Sequence, residues 1–202
     1  MRFARALLNA CPETLAGVRD AAIISVGYDT LCRSSELAAM NVAHVELMEE
    51  GTGRVLIPRT KADTVGKGRV AYLAPETAGL VARWIDEANI TDGALFRALH
   101  LQRVADGPLA TSSIRRLIKR ATDRAGLGPS VRCELSGHSM RIGAAQDMMV
   151  AGFDALAIMQ AGGWKSTSVV LRYVETAARE LHERRWELMK QLTEPRSVAV
   201  DL

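Results

Sequence analysis

The chain has 202 residues, of which 48% are hydrophobic and 24% charged, with a formal net charge of +3. That apolar share excludes disorder as the main state, and the length suits one good core or at most two small ones. The longest apolar run, around Ala21 to Gly27, falls far short of the ~20 residues of a membrane span.

The N-terminus carries Arg2 and Arg5, but Ala6-Leu7-Leu8 is too short for a signal peptide. From Pro12 to Tyr28, Leu15, Val18, Ala22, Ile23 and Val26 recur at helical spacing. A short helix is expected to start near Arg33 and carry Glu36, Leu37 and Met40. Arg54 to Pro58 and Arg69 to Leu73 read as two strands of a hairpin, with a long basic loop from Arg59 to Gly68 at its tip. Pro75 suits the first turn of a helix whose apolar stripe is Leu80, Val81, Trp84, Ile85 and Ala88. Ser113 to Ala125 repeats the helical pattern and stops at Gly126, with Arg115, Arg116, Lys119 and Arg120 on its polar side. Helix resumes from Ser136, Gly152 and Gly162-Gly163 punctuate two shorter segments, and a last helix is expected over 176–192 before a loose tail at 193–202. The fold class is therefore mainly α, with a small antiparallel β-hairpin or sheet at one edge.

Aromatic residues are scarce at 4%, which argues against a broad stacking surface for sugars or bases. Cys11, Cys32 and Cys133 are an odd count without metal-ligand spacing and fit reduced thiols in the cytoplasm. His44, His100, His138 and His182 show no zinc pairing, and there is no P-loop or dinucleotide fingerprint. No metal or other cofactor is expected.

What stands out is cations and hydrogen-bond donors at loop–helix junctions. His138 and Arg141, three apart, would share a helix face and could clamp an anion: the arginine fork offers two donors, and the imidazole one donor or a proton. Alone, the pair also fits an ordinary surface contact. Arg33 and Glu36 have the same spacing, and read either as an exposed ion pair or as a phosphate ligand held by its carboxylate. Trp164, after two glycines, and Tyr173 could each present a polar tip or simply fill a core.

Taken together, the ordered set Arg33, Lys61, His138, Arg141, Trp164 and Tyr173 resembles the active site of the tyrosine recombinases, the phage-integrase family. The phrases Ser136 to Asp147, Ile158 to Trp164, Arg59-Thr-Lys61 and Leu80 to Ile85 carry the resemblance, which runs from about Leu15 to Leu192. It implies site-specific DNA recombination, in which Tyr173 attacks the scissile phosphate to give a 3′-phosphotyrosyl link and a free 5′-hydroxyl. Bond energy stays in that link, so no ATP is needed, and no metal is needed because protein cations do its electrostatic work. Arg33 and Arg141 would grip the non-bridging oxygens, and His138 would donate to the phosphate or assist the tyrosine's proton. Trp164 takes a place that many members fill with histidine. Lys61 is the expected general acid, with Lys67 its competitor on the same loop, and Glu36 is a supporting residue.

The resemblance further implies double-stranded DNA as partner. Arg59, Lys67, Arg115, Arg116, Lys119, Arg120 and Arg132 are the expected backbone contacts. Residues 1–202 are expected to form one catalytic domain, with 1–175 as its core and 176–192 as an element that docks on a neighbouring copy. The helical core-binding domain of the family is absent from this sequence, so an excised domain is expected: monomeric by itself, tetrameric on DNA when full-length. A non-catalytic DNA-binding module and a type IB topoisomerase are the competing readings.

Overall fold

A computed structural model describes residues 2–58, 68–101, 103–127 and 139–173 of the chain. The expected 176–192 helix and 193–202 tail, and the residues Arg59, Lys61, Lys67, Arg132, Cys133, His138 and His182, lie outside the described residues.

The elements run α1 (Arg2–Asn9), α2 (Leu15–Asp29), α3 (Ser34–Ala38), a short 3-10 turn (Val42–His44), β1 (Val45–Leu47), β2 (Gly53–Ile57) and β3 (Arg69–Leu73). There follow α4 (Pro75–Glu87), β4 (Arg97–His100), β5 (Arg103–Pro108), α5 (Thr111–Arg124), α6 (Ser139–Val150) and α7 (Ala155–Gly162), and residues 167–173 are helical.

Helix α2 is the axis of the molecule. Every residue from Gly17 to Gly27 is buried, including Arg19 and Asp20, which pair with each other at 2.8 Å. It begins at Leu15 and not at Pro12, because the Thr14 hydroxyl caps it by accepting from the Gly17 backbone N–H at 3.2 Å. Its main neighbour is α4. The two are tied by a 2.8 Å hydrogen bond between the Ser25 and Thr77 hydroxyls, and the Asp29 carboxylate accepts from the Ala74 N–H at 2.8 Å just before α4. On its other side the Tyr28 hydroxyl donates to the Asp147 carboxylate of α6.

The expected hairpin is present and is part of a three-stranded antiparallel sheet, β1-β2-β3, with Val55 opposite Ala71 and Ile57 opposite Arg69. Gly53, Val55 and Ile57 point inward and Arg54 and Leu56 outward, the period of two that buries one sheet face. Three further pieces were not anticipated: α1, strand β1, and a second hairpin of β4 and β5. That hairpin carries a register irregularity between Arg97 and Leu99, which hides its alternation.

The described side chains form two apolar clusters. The larger gathers α2, α4, α5 and the inner face of the sheet around Trp84, Phe96, Ile23 and Leu117. The smaller consists of Leu31, Ala144, Ala145, Ile158, Trp164 and Val170, with Tyr28 and Tyr173 at its edge. Among the described residues no helix is long and apolar enough to cross a membrane.

Trp84 has no exposed surface, and its indole N–H donates to the Leu95 carbonyl at 2.8 Å. Trp84→Phe opens a cavity and leaves that buried carbonyl without its donor. A loss of about 2–4 kcal/mol is expected from urea unfolding. A loss below about 1 kcal/mol would mean that the Leu95 carbonyl finds another partner.

Candidate active site

The smaller cluster is where the sequence-selected residues meet. Arg141 lies in the first turns of α6 and is buried at 1% exposure. A side chain of that length and charge is almost never buried unless it is held. One side of the hold is Leu31, just past the end of α2. Leu31 adopts a left-handed conformation with φ 52°, uncommon for a bulky residue. Its carbonyl accepts from Arg141 Nη1 at 2.5 Å.

The other side is the indole of Trp164, whose ring centre lies 3.8 Å from the guanidinium carbon. This is a cation–π stack in a nearly dry setting. The turn that presents Trp164 depends on two glycines. Gly163 ends α7 at φ 65°, where a side chain would be strained. A Cβ on Gly162 would sit 2.0 Å from a carbon of the Trp164 ring. The Asp154 carboxylate caps α7 at its other end, accepting from the Ala157 N–H at 2.7 Å.

Leu31 and Trp164 leave one part of Arg141 unspent. Among the described residues, its Nη2 is a buried side-chain nitrogen with no hydrogen-bond partner. Burial pushes the Arg141 pKa down to about 10, the nearby Arg33 and Arg69 push in the same direction, and Glu36 and Cys32 oppose them. The group therefore stays charged at neutral pH, in surroundings short of negative charge.

Arg33 stands at the start of α3 with its side chain 37% exposed. The buried Glu36 carboxylate accepts from its backbone N–H at 2.8 Å and from its Nη1 at 2.7 Å. Glu36 thus both caps the short helix and fixes the arginine. Tyr173 is half-buried at the end of the 167–173 helical stretch. Its ring centre lies 6.0 Å from that of Trp164, tilted by 48°, and its carbonyl accepts from Gln146 Nε2 of α6 at 3.1 Å.

The structure therefore brings Arg141, Trp164 and Tyr173 into one cluster, with Arg33 and Glu36 beside it. Lys61 and His138, the other two expected reactants, lie outside the described residues. Arg115, Arg116, Lys119 and Arg120 are all exposed on α5, as their spacing predicts. Arg59, Lys67 and Arg132, expected with them, lie outside the described residues. The Trp164 ring lies over the Arg141 guanidinium, so this contact is what positions it here. Arg69 was missed altogether. Its guanidinium donates to the carbonyls of Ala161 and Thr30 beside the site.

Such a site, two guanidinium groups of which one is buried and partly unspent, with a phenol and an indole beside them, suits an oxyanion with two equivalent oxygens. Comparisons with known proteins place the chain in a family. The recombinase cre of Escherichia phage P1 is 33% identical over 172 residues, which is 78% of this chain and 49% of that protein. An integrase/recombinase xerD homolog of Selenomonas ruminantium is 30% identical over 170 residues, 81% of this chain and 49% of its own length. The chain thus spans about half the length of the curated relatives it matches. The fold matches the crystal structure of XerA recombinase with a TM-score of 0.72 at 23% identity, over 91% of this chain and 61% of that one. It also matches XerH site-specific recombinase bound to a palindromic difH substrate in a post-cleavage complex, with a TM-score of 0.71 at 19% identity, over 92% of this chain and 52% of that one. The model of the phage integrase family matches residues 3–180, a span that contains every residue of the site: the chain belongs to the phage integrase family.

Proposed function

We propose that this chain is the catalytic part of a site-specific recombinase that cleaves and rejoins double-stranded DNA through a 3′-phosphotyrosyl intermediate. The observation that carries the reading is Arg141, a buried guanidinium clamped by Leu31 and Trp164 with Nη2 left over, in the same cluster as a tyrosine. A scissile phosphodiester supplies the two non-bridging oxygens that Nη2 and the half-exposed Arg33 can take.

In the reaction, the Tyr173 oxygen attacks phosphorus, and a P–O bond forms as the bond to the 5′-oxygen breaks. The five-coordinate transition state carries more charge on its equatorial oxygens than the diester does. Preorganised cations in a water-poor cluster therefore favour it over the ground state. His138 hydrogen-bonds the phosphate or takes up the phenol proton. Lys61 protonates the departing 5′-oxygen, worth about 10²–10⁴ in rate. A 5′-hydroxyl of the partner strand then attacks the phosphotyrosine, returns Tyr173 and restores one phosphodiester, so no bond energy is lost and no cofactor is consumed. Glu36 acts by holding Arg33.

The exposed cations of α5, together with Arg59, Lys67 and Arg132, run along the DNA backbone and make affinity salt-dependent. Residues 1–175 serve as the catalytic core and 176–192 as a docking element that joins four copies on DNA, while the isolated domain is monomeric. The work is done in the cytoplasm, where the DNA is.

Tyr173→Phe is expected to abolish the covalent adduct on a nicked suicide duplex, the duplex being one selected by the protein from a randomised pool. Binding of that duplex should stay nearly intact. A denaturing gel reads the adduct, and an adduct that survives in Tyr173→Phe would remove Tyr173 from the nucleophile's role. Lys61→Ala should slow cleavage about 10²–10⁴-fold, and a 5′-bridging sulfur leaving group, which needs no proton, should restore it. If Lys67→Ala shows that rescue and Lys61→Ala does not, the acid is Lys67.

A further inference from the structure

Arg69 opens β3, opposite Ile57 in the sheet. Its guanidinium is partly buried and reaches away from the sheet to two other segments. Nη1 donates to the Ala161 carbonyl at 2.8 Å, and Nη2 donates to the Thr30 carbonyl at 2.6 Å and lies 3.6 Å from the Cys32 sulfur. These two carbonyls belong to the two walls of the Arg141 clamp. Thr30 precedes Leu31, whose carbonyl takes Arg141 Nη1. Ala161 lies three residues before Trp164, whose ring covers the Arg141 guanidinium.

The space for this bridge is built in. A Cβ on Gly163 would lie 3.1 Å from Arg69 Cδ and 3.2 Å from its Nε, so the glycine that turns the chain toward Trp164 also lets the Arg69 side chain pass. With both outer nitrogens engaged on carbonyls, Arg69 has little left to offer a phosphate. A planar fork that satisfies two carbonyls at a fixed separation acts as a spacer. The Thr30 carbonyl sits at the end of α2 and the Ala161 carbonyl at the end of α7, where last-turn carbonyls lack intrahelical donors and favour a cation.

We infer that Arg69 is a positioning residue for Arg141: it ties the Thr30–Leu31 wall to the Ala161–Trp164 wall and so fixes the direction in which Arg141 Nη2 points. Its effect on the reaction rests on the strand-exchange reading above; its effect on Arg141 does not. A methionine at 69 keeps much of the bulk and loses both bonds. A lysine reaches one carbonyl at a time.

The test uses the full chain with ¹⁵N-labelled arginine. The Arg141 guanidinium carbon lies 3.8 Å from the Trp164 ring centre, so the ring current should displace the Arg141 Nε–H signal, which Trp164→Leu identifies by its loss. In Arg69→Met this signal should move toward the position of an unstacked arginine, and in Arg69→Lys it should move part of the way. Single-turnover adduct formation should fall about tenfold to a hundredfold in Arg69→Met, with half-saturating DNA changed by less than about threefold. In an Arg141→Lys background the same substitution should cost less than about twofold, because its route through Arg141 is gone. An Arg141 signal unmoved in both Arg69 variants would overturn the assignment, as would an equal loss of rate in both backgrounds. If Arg69→Met fails to fold, Arg69→Lys decides by the same signal. A parent chain that makes no adduct while the Arg141 signal still moves would contradict the strand-exchange reading and uphold the role of Arg69.

Discussion

Water would hold the charge of Arg141 better than this protein does. The guanidinium is almost fully buried, receives one carbonyl and one indole face, and keeps a nitrogen unspent. No carboxylate of the described residues makes an ion pair with it; the Glu36 carboxylate, which favours its charged form, is engaged by Arg33. Desolvation of a charge costs several kcal/mol, against about 1.5–3 for a hydrogen bond to a charged group and up to ~2 for a cation–π stack. The balance leaves a cation that a phosphate would complete. Much of the architecture around it is intelligible as the means of keeping it there.

The long buried helix α2 provides the rigid base. It is anchored to α4 through Ser25, Thr77 and Asp29 and to α6 through Tyr28 and Asp147. Because α2 ends at Asp29, the chain can turn at Leu31 and deliver a carbonyl to Arg141 and, two residues later, Arg33. The Tyr28 hydroxyl, pushed up to about 12 by its burial, stays protonated and remains a donor to Asp147 throughout the neutral range. Small residues at Ala144 and Ala145 let α6 sit close under the cluster, and Gly162 clears the space into which Trp164 folds back. The three-stranded sheet adds Arg69 from a third direction. The site is therefore assembled from four separate stretches of chain, each positioned by packing that lies outside the site.

The sequence exposed the proposed reacting groups better than it exposed what holds them. Arg33, Arg141, Trp164 and Tyr173 are each ambiguous alone and become recognisable together, through their order and the distinctive phrases around them. The amphipathic helices α4 and α5 and the β2–β3 pair were legible from periodicity. The β4–β5 hairpin was not, since its irregular register breaks the alternation, and α1 is too short for a periodic signal. Leu31 gives no hint of its left-handed backbone, because glycine or asparagine would ordinarily mark such a position. Arg69 reads only as the first residue of a strand. Only the approach of two helix ends in space turns it into a bridge, and no local pattern encodes that approach.

The central claim is that Arg141 is kept for the phosphate and not for the fold. Arg141→Met tests it most directly, by urea unfolding of the chain without DNA alongside adduct formation with it. Stability should be unchanged or raised, because a desolvated and partly unspent charge is replaced by an apolar stem of similar length. Cleavage should fall about 10²–10³-fold or more. A stability loss above about 2 kcal/mol would instead make Arg141 a structural arginine, and undiminished cleavage would remove it from the reaction.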